Sequence, residues 1–181
     1  MPTAPAPVVF LDRDGVINRD SDEYIKSVAE WVPLPGSLEA IAALTAAGFR
    51  PVVISNQSGV GRGLFSEATL AGIHAAMRAA VERAGGKLAA IYHCPHRPED
   101  GCDCRKPRPG LLQRAAAELG FALDGVPLIG DKESDLAAAR AVGARPIAVG
   151  ARPGERFAAG TERYRDLAAA AAILIAERQK R

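Results

Sequence analysis

The chain has 181 residues, 48% of them hydrophobic, 24% charged and 5% aromatic, the make-up of one folded domain spanning 1–181 rather than a disordered segment. Its 23 Lys and Arg against 21 Asp and Glu leave a formal charge of +2; with so few aromatics, this argues against nucleic acid as a partner. No run approaches the ~20 apolar residues of a membrane span, and the start lacks a basic segment followed by a long apolar one, so the expected location is cytoplasmic, away from membranes.

The first predicted element is a buried strand, Val8 to Leu11, a short apolar run rich in β-branched residues. It leads directly into Asp12-Arg13-Asp14-Gly15-Val16-Ile17-Asn18. Two carboxylates two positions apart at a strand end point the same way. One can attack phosphorus while the other protonates the leaving oxygen and later activates water. Taken alone, the same residues also suit a solvated Asp-Gly turn. Trp31 follows in a loop, and Leu38, Ile41 and Leu44 mark the first helix by their spacing.

The second strand, Val52 to Ile54, ends in Ser55-Asn56-Gln57-Ser58 and the glycine-rich Gly59 to Gly63, where a hydroxyl and backbone N–H groups can hold phosphate oxygens. Leu70, Ile73, Met77 and Val81 mark the next helix. His74 within it, like Trp31, reads as a packing or surface position.

After a third strand, Leu88 to Tyr92, come all three cysteines. Cys94, His96, Cys102 and Cys104 form C-x-H-x5-C-x-C, a Cys₃His set that matches closed, structural zinc. Spacing of i and i+2 in extended chain lets Cys94 and His96 face one ion while His93 points away. An odd, clustered number of thiols fits metal better than a disulfide framework. This zinc loop, about residues 94–104, is expected to fix Arg105 and Lys106 beside a phosphate.

Leu111, Leu112, Ala115 and Leu119 mark a helix, and the strand Val126 to Ile129 runs into Gly130-Asp131-Lys132-Glu133-Ser134-Asp135. Asp135, opening the Ala-rich helix from Leu136 to Val142, reads as a cap, whereas Asp131 precedes that turn. A strand at Ile147 to Val149 and a closing helix over about residues 164–178 complete the chain. Gly48, Gly85, Gly120 and Gly143 stand where helices end in a left-handed residue.

This alternation predicts an α/β fold, a doubly wound parallel sheet with helices on both faces. Ligands in such folds bind beyond the carboxyl ends of the strands, so Asp12, Ser55, His93 and Asp131 are expected at one edge. Several carboxylates facing a phosphate require a divalent cation, and hard oxygen donors select Mg²⁺. No insertion is long enough for a separate cap domain, so the site is expected to be open and short loops to set its specificity.

The order of these motifs over about residues 8–150 resembles the haloacid dehalogenase superfamily of phosphatases. The resemblance implies a Rossmann-like fold, Asp12 as the phosphorylated nucleophile and Asp14 as general acid and base. It further implies Ser55 and Lys106 on the phosphoryl group, with Asp12, the backbone carbonyl of Asp14, and Asp131 around Mg²⁺. Within the superfamily, Asn56 to Gly63, Cys94 to His96, Cys102 to Pro107 and Gly130 to Lys132 resemble the heptose bisphosphate phosphatases. That likeness implies substrate contacts at Arg105, Lys106 and Lys132, at Ser55, Asn56, Gln57 and Ser58, and at Asp20 and Tyr24. The implied protein is a monomer that removes the 7-phosphate of a sugar bisphosphate in nucleotide-heptose and lipopolysaccharide biosynthesis. Histidinol-phosphate phosphatases are the rival, with a similar zinc loop and the same short gap from His96 to Cys102, although NQSGVGRG favours the sugar enzymes. An idle zinc-stabilised binding module is the alternative of another class, disfavoured because Asp12, Asp14, Lys106 and Asp131 are all present.

Overall fold

Alternate side chains of the central strand divide the interior into two cores. Along β1 (Val8–Leu11), Val9 and Leu11 join one buried cluster while Val8 and Phe10 join the other, the period-two geometry of a strand covered on both faces. The computed structural model describes residues 6–150 and 154–180; residues 1–5, on which the expectation of a start without an export segment partly rests, lie outside them.

The remaining elements are α1 (Ser37–Ala46), β2 (Arg50–Asn56), α2 (Ser58–Gly61), α3 (Glu67–Arg83), β3 (Ala90–Cys94), α4 (Gly110–Leu119), β4 (Pro127–Gly130), α5 (Glu133–Arg140), β5 (Arg145–Val149), β6 (Glu162–Tyr164) and α6 (Leu167–Gln179). The six strands form one parallel sheet in the order β3-β2-β1-β4-β5-β6. Ile41 and Leu44 of α1, Ile73 and Met77 of α3 and Leu174 of α6 cover one face, and Leu111 and Leu112 of α4 with Leu136 of α5 cover the other. The expected α/β architecture is therefore present, Rossmann-like in its order, with the order reversing at β1. The carboxyl ends of β1, β2 and β4 consequently open onto one crevice. Among the described residues no helix is long and apolar enough to cross a membrane.

Several boundaries differ from expectation. The third strand starts later and reaches Cys94, and the glycine-rich stretch contains the single turn α2. The closing helix begins at Leu167 rather than near 164, because Asp166 caps it by accepting a hydrogen bond from Ala169 N at 2.9 Å. Residues 162–164 instead add β6 beside β5. Arg145 clamps this edge, donating at 2.7 Å to Glu162 of β6 and to Glu177 of α6. Gly48, Gly85, Gly120 and Gly143 all take the expected positive φ.

Candidate active site

Asp12 is the first residue beyond β1, and its backbone N–H is tied to Ile129 O of β4 at 3.0 Å. Its carboxylate oxygen Oδ1 accepts from Lys106 Nζ at 2.8 Å. That ammonium also donates to Ile54 O at 2.7 Å and pairs with Asp135 Oδ1 at 2.7 Å. All three charged groups are buried. Burial and the Asp135 carboxylate push Asp12 up to about 6, against the opposing pull of Lys106. Asp135, which reads in the sequence as a helix cap, does accept from Lys132 N at 3.2 Å, and its other oxygen holds Lys106. Gly130 allows this approach, because a Cβ there would run into the Asp135 side chain.

Asp14 is held from several sides. Asn18 Nδ2 donates to Oδ1 at 2.8 Å and Gln57 Nε2 to Oδ2 at 2.8 Å. The Arg13 guanidinium grips both oxygens, Nε to Oδ1 at 3.0 Å and Nη2 to Oδ2 at 3.1 Å. Gln57 also donates to Ser55 Oγ at 2.7 Å and accepts from Arg13 at 3.1 Å, so its amide links the second strand end to the first. Asp12 and Asp14 thus occupy different environments, one beside an ammonium and the other inside a hydrogen-bonded frame. An acid-base division of labour requires that difference.

Asp131, after β4, lies with Asp12 and Asp135 so that one carboxylate oxygen of each falls within 4.8 Å of the others. Asp131 Oδ1 is buried without a hydrogen-bond partner. Burial and the Asp12 charge push this carboxyl up to about 8. A hard divalent cation fits that orphaned oxygen and that surplus of negative charge. Gly15, at φ +83°, brings its backbone against Asp131 where any Cβ would collide with the carboxylate.

Four further ligand atoms converge at the end of β3. Cys94 Sγ lies 3.5 Å from His96 Nδ1, 3.5 Å from Cys102 Sγ and 3.1 Å from Cys104 Sγ, and His96 Nδ1 lies 3.2 Å from Cys104 Sγ. Corners of a tetrahedron with ~2.3 Å bonds would be about 3.8 Å apart, so the set has the size of a slightly contracted zinc site. The thiols are free, with no disulfide among them. His93 points away from them, with Nε2 3.0 Å from Glu67.

Arg105 donates to His96 O at 3.3 Å and thereby belongs to the cysteine segment. Lys106 has an additional anchor: Asn56 accepts from its N–H and donates to its carbonyl, both at 3.1 Å. Arg105, Lys132, Asp20, Tyr24, Asn56, Gln57 and Ser58 line a polar cavity of about 240 Å³ that also touches Asp14. Lys132 Nζ pairs with Asp20 Oδ2 at 3.0 Å. Tyr24 holds φ 64°, a left-handed conformation uncommon outside glycine and often found at ligand clamps. A more apolar hollow of about 280 Å³, lined by Phe49, Phe121, Val126 and Arg145, lies away from these groups. Reading the sequence missed Arg13 and His74, whose side chains back the Asp14 frame, and it left Asp135 as a cap.

The HAD-hydrolase-like family model matches residues 103–171, and with this site it places the chain among hydrolases that act on phosphoric monoesters. A D-glycero-beta-D-manno-heptose-1,7-bisphosphate 7-phosphatase of Pseudomonas putida is 52% identical, over 82% of this chain and 85% of its own length. One from Pseudomonas aeruginosa is 47% identical over 93% and 97%. The crystal structure of the Bordetella bronchiseptica D,D-heptose 1,7-bisphosphate phosphatase, complexed with magnesium and phosphate, superposes with a TM-score of 0.90 at 46% identity, covering 94% of this chain and 99% of that one. The chain belongs to this family of heptose bisphosphate phosphatases within the HAD-like hydrolases.

Proposed function

We propose that the chain is a Mg²⁺-dependent phosphatase that removes the 7-phosphate of D-glycero-beta-D-manno-heptose 1,7-bisphosphate in nucleotide-heptose biosynthesis. The observation that carries this reading is the buried Lys106–Asp12 contact of 2.8 Å beside the framed carboxylate of Asp14. The names of the relatives support the substrate and its anomer. Asp12 attacks phosphorus, and Asp14 delivers a proton to the departing sugar oxygen. Asp14 then takes a proton from the water that cleaves the aspartyl phosphate, which returns Asp12 to its starting state. Ser55 Oγ and Lys106 Nζ hold phosphoryl oxygens, and Asp135 keeps Lys106 in place.

Asp12, the Asp14 carbonyl and Asp131 would hold Mg²⁺, which when bound supplies positive charge to the phosphoryl oxygens. Arg105 and Lys132 meet the second phosphate, while Asp20, Tyr24, Asn56, Gln57 and Ser58 shape the sugar pocket. Cys94, His96, Cys102 and Cys104 hold one structural Zn²⁺. The chain works as one cytoplasmic, monomeric phosphatase domain without a cap.

The test is phosphate release with Mg²⁺ from the heptose 1,7-bisphosphate and from histidinol phosphate, with phosphorus NMR identifying which ester is lost. Preference for the sugar 7-phosphate and loss of turnover in Asp12→Asn are expected. Preference for histidinol phosphate would establish the rival reading, and undiminished turnover in Asp12→Asn would remove the nucleophile.

A further inference from the structure

Arg13 has no exposed surface and is the largest fully buried side chain among the described residues. Its guanidinium meets Asp14, the amide oxygen of Gln57 and, at 3.5 Å, Nε2 of His74. Arginine offers only donors, so His74 Nε2 must accept, and only a neutral imidazole with its proton on Nδ1 can do so. His74 sits on the buried face of α3, where Leu70, Ile73 and Met77 pack into the core, so the helix fixes where the acceptor stands. Burial, the Arg13 charge and the neighbouring His93 and Arg78 push the His74 imidazole down to about 3 and keep it neutral. The His93 ring lies 5.5 Å from that of His74, centroid to centroid, and is itself bound to Glu67.

We propose that His74 is a positioning residue for proton transfer: its imidazole holds the Arg13 guanidinium in the plane from which Arg13 grips the Asp14 carboxylate. Without that acceptor a buried N–H of Arg13 has no partner, and nothing from α3 holds the guanidinium in the plane that its grip on Asp14 requires. The inference rests on the reading of Asp14 as general acid. An Asp14 carboxyl group displaced by a fraction of an ångström still allows phosphorus to be attacked, but in its protonated form it delivers that proton to the leaving oxygen less well.

Two aryl esters that differ in their need for that proton test the idea. Phenolate leaves slowly unless protonated, whereas p-nitrophenolate leaves readily as an anion. Because kcat/KM covers only the steps through loss of the leaving group, it isolates the acid role from later hydrolysis. In His74→Leu, kcat/KM for phenyl phosphate should fall about tenfold, and that for p-nitrophenyl phosphate less than about twofold. His74→Gln, which offers an amide oxygen near the same place, should restore most of the difference. Asp14→Asn should show the same selectivity in larger measure. If Asp14→Asn slows both esters equally, the acid assignment fails and the inference with it. If Asp14→Asn is selective and His74→Leu is not, His74 merely fills the core. Should His74→Leu not fold, as judged by circular dichroism, His74→Phe, a ring without an acceptor, replaces it and must show the same selectivity.

Discussion

Lys106 and Asp12 stand 94 residues apart in the chain and 2.8 Å apart in the fold, with both side chains buried. The ammonium separates Asp12 from Asp135, and those two carboxylates and its own burial all act on its charge. Burial disfavours the ammonium, but Asp12 and Asp135 outweigh it and raise the Lys106 pKa. Lys106→Met should therefore lower kcat by roughly 10²–10³ and cost about 3 kcal/mol of stability by leaving buried anions unpaired. Adding Asp135→Asn should recover stability in urea denaturation without recovering turnover. Simultaneous recovery of both would show that Lys106 only neutralises its surroundings.

Arg105 lines the polar cavity from the cysteine segment and lies one residue before the lysine at the nucleophile. Contacts to the part of a substrate that does not react appear mainly in KM. Arg105→Ala should reduce kcat/KM for the heptose bisphosphate by about tenfold or more, and for a simple monoester by less than about threefold. Measuring both substrates decides the matter, since equal proportional losses would exclude a reading of the second phosphate.

The Cys94, His96, Cys102 and Cys104 set predicts about one zinc per chain by metal analysis of protein purified without added zinc. The segment holds Arg105 through His96 O, but Lys106 has its own anchor on Asn56. Cys102→Ser should therefore lower the melting temperature and impair the bisphosphate more than the monoester. Absence of zinc together with unchanged melting in this variant would sink the assignment.

Acid should destabilise the chain through His74. Its imidazole titrates near 3 when folded and near its ordinary 6.5 when unfolded, so the unfolded chain binds the extra proton. Its contribution is complete above pH 6.5 and shrinks as pH falls toward 3. Between pH 7 and pH 5 the loss is about 2 kcal/mol. His74→Gln lacks this term while keeping the site carboxylates, so urea denaturation should find its stability gap to the parent chain narrowed by that amount at pH 5. An unchanged gap would mean that His74 is not buried neutral.

Asp12, Ser55 and Asp131 were legible because each directly follows or ends an apolar run, and strand ends of a parallel sheet converge. The gathering of Cys94, His96, Cys102 and Cys104 was legible from spacing alone. Arg13 was not, because a charged residue between two aspartates reads as solvent-facing. Its burial depends on Gln57 and His74, which come from β2 and α3 and meet it only in three dimensions. Asn56 and Gln57 read as substrate contacts, and both do line the cavity. Their amides, however, are engaged by Lys106 and by the Asp14 frame respectively. The strand β6 carries Glu162, Arg163 and Tyr164, which offer no apolar run to read. The cap at Asp166 is an acid before Leu167 and five alanines, a signal that the expected helix start near 164 did not use.

Asn56 grips the peptide of Lys106 as a neighbouring strand would, accepting from its N–H and donating to its carbonyl. The lysine is thus referenced to the sheet rather than to the length of chain that leads to it. Residues 97–101, between the second and third metal-type ligands, are mostly exposed and form a short turn at Pro98–Asp100. That turn can gain or lose residues while Lys106 keeps its register with Asp12. Variation in its length is therefore separable from the placing of the lysine beside the nucleophile.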